Sequence, residues 1–200
     1  MGECARRVAS DLSNGWDAIA DRLIAVRSTV GAEVVRDWAR LLPAGGAVVD
    51  IGCGAGVPVS ATLIDAGLQI SGIDASPTLV AAFRQRFPMA RVACEAAEES
   101  GFFGRKFDGA VAIGLLFLLP AEGQRAVIGR VASALSSGGR FLFSAPRQRC
   151  AWTDLLTGRP SRSLGFDRYE RILGTAGMRV VATHVDEGEN HYIDAERVAG

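Results

Sequence analysis

Val48-Val49-Asp50-Ile51-Gly52-Cys53-Gly54-Ala55-Gly56 is the stretch on which the fold turns. A short apolar run of the kind that forms a buried strand carries an acidic residue near its end. Three glycines follow at alternate positions, and a helical pattern begins after them. Glycine lets the backbone approach a ligand where a Cβ would clash. A glycine turn between strand and helix suits a nucleotide-type ligand at the carboxyl end of the first strand. The expectation is a strand over residues 47–51, then the loop, then a helix over 57–66 closed by Gly67.

Downstream, strands and helices alternate. Residues 68–73 read as a strand ending at Asp74. Ser76 and Pro77 supply an N-cap and a proline at the first helical position, opening a helix that runs to Arg86. A strand over 90–94 ends at Glu95, residues 98–103 read as a short helix or turn, and a strand spans 107–113. A helix over 121–135, a turn at 136–139 and a strand over 140–144 follow. Residues 145–164 read as a polar loop rich in Arg, Ser, Pro and Gly, long enough to suggest function. A helix over 167–175, a strand over 178–185 and an antiparallel return strand from His191 complete the chain. Upstream, residues 1–42 read as helical. Trp16, Ile19, Ala20, Leu23 and Ile24 form one apolar stripe, and a break falls near Ser28, Thr29 and Gly31.

This alternation predicts an α/β fold. The expected architecture is a doubly wound, Rossmann-like, seven-stranded sheet, mostly parallel, with an antiparallel strand 7, helices on both faces and an N-terminal helical lid. One domain spans 1–200, with a cap over 1–44, a ligand-binding core over 45–145 and a substrate side over 146–200. At 200 residues and 48% hydrophobic content the chain can bury a sizeable core. Its net charge of zero argues against a nucleic-acid partner, and the arginines between 147 and 171 read as a solvated face. No apolar run reaches the roughly 18–20 residues a membrane span needs, and the start of the chain lacks a signal-peptide core. A cytoplasmic monomer or homodimer is the expectation. The four cysteines form no C-x-x-C pair, so no metal site is expected and the thiols read as free.

Three details narrow the ligand. The glycines are spaced G-x-G-x-G with Val57 next, whereas the dinucleotide fingerprint wants a glycine at 57. Asp50 precedes the first glycine, where a carboxylate would repel a pyrophosphate but suits an ammonium and a positive sulfur. Strand 3 ends in Glu95, an acceptor for an adenine amino group, just as Asp74 at the end of strand 2 can accept from a ribose diol. Together they favour S-adenosylmethionine (SAM).

Over about residues 45–145 the chain resembles the class I SAM-dependent methyltransferases. The resemblance rests on residues 48–56, on Ile-Ser-Gly-Ile-Asp-Ala-Ser-Pro at 70–77, on Phe107-Asp108, on Leu116 to Pro120 and on the run 135–143. It is weaker at 93–98, where the family usually has Asp followed by a small residue, here matched to Glu95 and Ala96. The resemblance implies that Gly52, Cys53 and Gly54 line the methionine part and that Asp50 holds its amino group. It gives Asp74 and Ala75 to the ribose, Glu95 and Ala96 to adenine, and the Ile113 backbone to the methionine moiety. By looser analogy Trp16 is a lid aromatic and Arg27 holds the cofactor carboxylate.

Absences narrow the chemistry. The amide and adenine N-methylating relatives carry Asn/Asp-Pro-Pro-aromatic after strand 4, where this chain has Ile113-Gly114-Leu115-Leu116. Many small-molecule relatives place His just after strand 4, where this chain has Phe117, read as an apolar pocket wall. The expected activity is methyl transfer to a small molecule through an O, N or S atom. His191 is the candidate catalytic residue, and Phe117, Trp152, His191 and Tyr192 are candidate acceptor contacts. A non-catalytic SAM-binding protein and an NAD-type oxidoreductase are the alternatives.

Overall fold

Alternation along β1 (Ala47–Ile51) sorts its side chains onto the two faces of one sheet. Val48 packs with Val35, Trp38, Val59, Leu63 and Phe83 on one face. Val49 and Ile51 pack with Val127, Val131, Phe141, Phe143 and Tyr169 on the other. The computed structural model describes residues 11–26 and 28–198.

In chain order a 3-10 turn at Asp17–Ile19 leads into α1 (Ala20–Val26), and α2 (Ala32–Ala39) precedes β1. Then come α3 (Val59–Asp65), β2 (Gln69–Asp74), α4 (Pro77–Arg86), β3 (Arg91–Cys94) and β4 (Phe107–Ala112). A 3-10 turn at Leu116–Leu118 separates β4 from α5 (Ala121–Ala134), which runs directly into β5 (Leu135–Ser144). The chain ends with β6 (Cys150–Thr153), β7 (Pro160–Ser163), α6 (Phe166–Thr175), β8 (Met178–Val185) and β9 (His191–Arg197).

The seven-stranded sheet has the order β3-β2-β1-β4-β5-β9-β8. β1 to β5 pair in parallel, and β9 lies antiparallel between β5 and β8. This is the expected sheet, with helices on both faces. β1 has β2 on one side and β4 on the other, so the strand order reverses there. A crevice opens at the carboxyl ends of these strands, and the glycine loop sits at its floor.

The break expected near Ser28, Thr29 and Gly31 falls between α1 and α2; residues 1–10 lie outside the described residues. Three other expectations need correction. The helix after the loop starts at Val59, two positions late. The turn expected at 136–139 is a bulge inside β5: Phe107 pairs with Leu135 and Gly109 with Arg140, so β5 has extra residues between these pairs. Residues 145–164 are not simply a loop, because β6 and β7 pair there as a second sheet. That strand pattern was hidden because the inward residues of β7 are Ser161 and Ser163, at 1% and 2% exposure, rather than apolar ones.

β9 carries a buried polar anchor. The Asp194 carboxylate is fully buried, accepts from Trp38 Nε1 at 3.2 Å and pairs with the Arg140 guanidinium. Burying an unpaired carboxylate would be costly, so this pairing holds β9 to β5 and α2 in one register. Among the described residues no helix is long and apolar enough to cross a membrane.

Candidate active site

The loop after β1 folds back onto the end of β2. Gly52 N and Cys53 N both donate to Ile73 O, at 2.7 and 3.0 Å, and Gly56 N donates to Cys53 O at 2.8 Å. Asp74 completes the junction. Its Oδ2 accepts from Gly54 N and its Oδ1 from Ser76 N, each at 2.8 Å. One carboxylate thus fixes both the glycine loop and the start of α4.

The loop glycines do different work. Gly56 has φ +80°, and a Cβ there would lie 2.4 Å from the Phe87 ring, so this glycine serves packing. Gly54 has φ +54°, and a Cβ there would meet nothing within 4 Å, because it faces the crevice. The crevice is a cavity with about 930 Å³ of empty space, its open mouth included. Its walls are Gly52, Gly54 and Ala55 from the loop, Asp74 and Ala75 after β2, and Glu95 to Glu98 after β3. Ile113, Gly114 and Leu115 after β4 add a third side, and Ser13, Asn14, Trp16, Leu23 and Ile24 cover it from the N-terminal segment.

Electrostatically the cavity is acidic. Asp74, Glu95 and Glu98 line it, with no cation among the described lining residues. Glu95 Oε1 is held by Ser100 Oγ at 2.6 Å. Trp16 Nε1 is a buried donor that has no partner among the described residues. An orphaned donor, an open cradle at Gly54 and a carboxylate wall fit an adenosyl ligand bearing positive charge; they do not fit a pyrophosphate.

The covering segment is tied down at two points. Asp17 Oδ1 accepts from Ser76 Oγ at 2.5 Å and from Thr78 N at 3.0 Å, so it acts as a second cap on α4. Those bonds, the Ser76 hydroxyl foremost, hold the Asp17 carboxyl below its ordinary pKa. Asn14 Nδ2 donates to Leu118 O at 3.3 Å across the cavity.

Of the residues expected at the cofactor, Trp16, Gly52, Gly54, Asp74, Ala75, Glu95, Ala96 and Ile113 all line this cavity. Asp50 lies beneath it, at 2% exposure, with its Oδ2 accepting from Ser60 Oγ at 2.6 Å. The Cys53 side chain points into the core, where its Sγ would sit 2.8 Å from a Cβ at Gly72. Burial, then the nearby Asp50 and Asp74, push that thiol well above its usual pKa, which keeps it unreactive. Arg27 lies outside the described residues.

A second cavity, about 860 Å³ with its mouth, lies beside the first and shares Leu23, Ile113 and Gly114 with it. Phe117 and Tyr192 line it, and the Trp152 ring lies 5.5 Å from Phe117, tying β6 to that wall. His191 lines neither cavity. Tyr192 belongs to the face of α2 and α3, and neighbouring strand residues point to opposite faces. Sequence reasoning missed Ser60, Ser100, Asn14, Asp17 and Ser144. Only Ser60, in the first turns after a glycine loop, carried a local signal.

The methyltransferase-domain family matches residues 48–139, from β1 into β5. That match takes in a little under half of the chain. Among curated proteins the chain is similar to a ubiquinone biosynthesis O-methyltransferase of Xanthomonas axonopodis pv. citri, at 29% identity over 78% of this chain. The chain spans about three fifths of that relative's length, the match covering 59% of it. Among solved structures it resembles the Burkholderia thailandensis 1,6-didemethyltoxoflavin-N1-methyltransferase, with TM-score 0.76, 18% identity, 94% of this chain and 87% of that one covered. It also resembles magnesium protoporphyrin IX methyltransferase of Synechocystis PCC 6803, with TM-score 0.65, 20% identity and coverage of 98% and 86%. The fold of the chain is therefore the one these class I SAM-dependent methyltransferase structures share.

Proposed function

We propose that the protein transfers a methyl group from SAM to a small-molecule acceptor, the chain acting as one catalytic domain. The observation that carries this reading is the acidic cavity in which Asp74 locks the glycine loop to the end of β2. Asp74 accepts from the ribose hydroxyls, Glu95 and the Ala96 amide read adenine, and Gly52, Gly54 and the Ile113 backbone flank the methionine part. The orphaned Trp16 Nε1 donates to the cofactor. Asp50 adds negative potential beneath the loop and orients it through Ser60. Bound SAM supplies a methyl on a positive sulfur whose leaving group departs neutral, so no protein acid is required. The chain's task is then to hold the acceptor in line and keep water out. The N-terminal segment serves as a lid, latched through Asp17 and Asn14.

The relatives' names point to different acceptor atoms, oxygen in one and nitrogen in another, so they leave that atom open. Calorimetry with SAM, S-adenosylhomocysteine and NADH tests the cofactor reading. Binding of the first two and none of the third is expected. Tight NADH binding with no response to the others overturns it.

A further inference from the structure

The second cavity is built for a narrow kind of acceptor. Resting on the methyltransferase reading above, we propose that it receives an uncharged, apolar ring and that the attacking atom is a neutral nitrogen needing no protein base.

Its position comes first. The cavity is separated from the cofactor side by Ile113 and Gly114, which line both. A Cβ at Gly114 would meet nothing within 4 Å, so the partition is thin there. An acceptor in the second cavity faces the first across that gap.

The walls come next. Val30, Val35, Pro58, Val59 and Phe117 supply apolar surface. Three of the polar side chains present already have partners within the protein. Ser144 Oγ accepts from Gly114 N at 2.8 Å. The Tyr192 hydroxyl donates to Asp186 Oδ2 at 2.7 Å, and Asn190 Nδ2 donates to both oxygens of Asp186, at 3.1 and 3.0 Å. Burial, then the bond to Asp186, raise the Tyr192 pKa far above its ordinary value, so it stays protonated.

Among the described lining residues there is no Asp, Glu, His, Lys, Arg or Cys. Two carboxylates stand behind the wall. Asp186 is held by Tyr192 and Asn190, and Glu187 accepts from Gly31 N at 3.3 Å. A charged acceptor would lose water without meeting a counter-ion among the described lining residues, which is costly. A hydroxyl acceptor would need a base to take its proton, and none is found among the described lining residues. A neutral nitrogen enters without a charge and needs no base to attack. Its lone pair forms the C–N bond while the methyl's C–S bond breaks with its electrons passing to sulfur. The nitrogen gains the positive charge, and any N–H proton passes to water after release.

The test uses protein saturated with S-adenosylhomocysteine, titrated calorimetrically with an uncharged hydroxyquinoline and with benzoate. The hydroxyquinoline is expected to bind at least about tenfold more tightly, the charged ring paying for desolvation. Val26→Trp, at the exposed mouth, and Phe117→Ala, in the wall, should each weaken that binding about tenfold while S-adenosylhomocysteine affinity stays unchanged. Equal or tighter benzoate binding, or indifference to both variants, overturns the proposal. With SAM, the same hydroxyquinoline offers a ring nitrogen and a phenolic oxygen on one frame. The N-methyl product supports the proposal; the O-methyl product, or none, overturns it. Failure of S-adenosylhomocysteine itself to bind overturns the cofactor reading instead, and this proposal with it.

Discussion

Replacing Asp74 by Asn separates its structural task from its ligand-binding task. Both carboxylate oxygens accept from backbone amides, Gly54 N and Ser76 N, each at 2.8 Å. An asparagine keeps one acceptor oxygen and turns an NH₂ toward the other amide. One hydrogen bond to a charged group is lost, about 1.5–3 kcal/mol of stability. The proposed ribose contact adds a separate loss. One charge-assisted bond fewer costs a similar energy, which at 1.4 kcal/mol per decade is about a 10- to 100-fold weaker affinity. Urea denaturation reads the first quantity and calorimetry with S-adenosylhomocysteine reads the second. A deoxyribose analogue of that ligand provides the control. If Asp74 holds the diol, the penalty of the substitution shrinks on the analogue. An affinity change under about threefold, or an equal penalty on both ligands, would refute the assignment and leave Asp74 as a loop anchor only.

The glycine loop makes two contrasting predictions. Gly56→Ala drives a Cβ to 2.4 Å from Phe87 at positive φ, so a loss of about 2–4 kcal/mol is expected in urea denaturation. Gly54→Ala meets no neighbour and should cost only about 1 kcal/mol, yet weaken S-adenosylhomocysteine binding, because the new methyl occupies the cradle. Asp17 gives a pH dependence. Its folded-state pKa is lowered, so its contribution is present above the unfolded carboxylate value and is lost as pH falls through the folded one. Asp17→Asn should therefore cost about 1 kcal/mol at neutral pH, with wild type and variant converging in urea midpoints once the pH falls below the lowered folded-state value of the carboxyl.

The cofactor half was legible because its parts follow one another along the chain. β1, β2, β3 and β4 come in sequence order, and Asp74, Glu95 and Ile113 each mark the end of a run whose period and caps are local signals. What tethers those parts is not local. Asp17 reaches Ser76 and Thr78 across about sixty positions, and nothing around Asp17 announces it. The position of Asp50 in its run is legible in the sequence, whereas the direction of its side chain is not. The strand turns it toward α3, where Ser60 binds it. The β6–β7 hairpin escaped because its buried positions are serines, one of which, Ser163, donates to Pro146 O at 2.6 Å.

On the acceptor side a parity question decides the reading, and a pair of variants tests it. His191 and Tyr192 are neighbours on one strand, so only one of them can face α2. The pairing of Ser144 with Tyr192, together with the Trp38–Asp194 bond two residues on, puts the even-numbered residues on that face. Tyr192 therefore borders the second cavity, and its hydroxyl fastens the turn after β8 through Asp186. Tyr192→Phe removes a hydrogen bond to a carboxylate, about 1.5–3 kcal/mol, and frees the wall formed by Asn190 and Gly31, so acceptor KM should rise while S-adenosylhomocysteine affinity holds. His191→Ala trims a half-buried side chain from the opposite face and should alter stability by no more than about 0.5 kcal/mol. A large kcat loss in His191→Ala, with Tyr192→Phe unaffected, would mean that the face of β9 has been read the wrong way round.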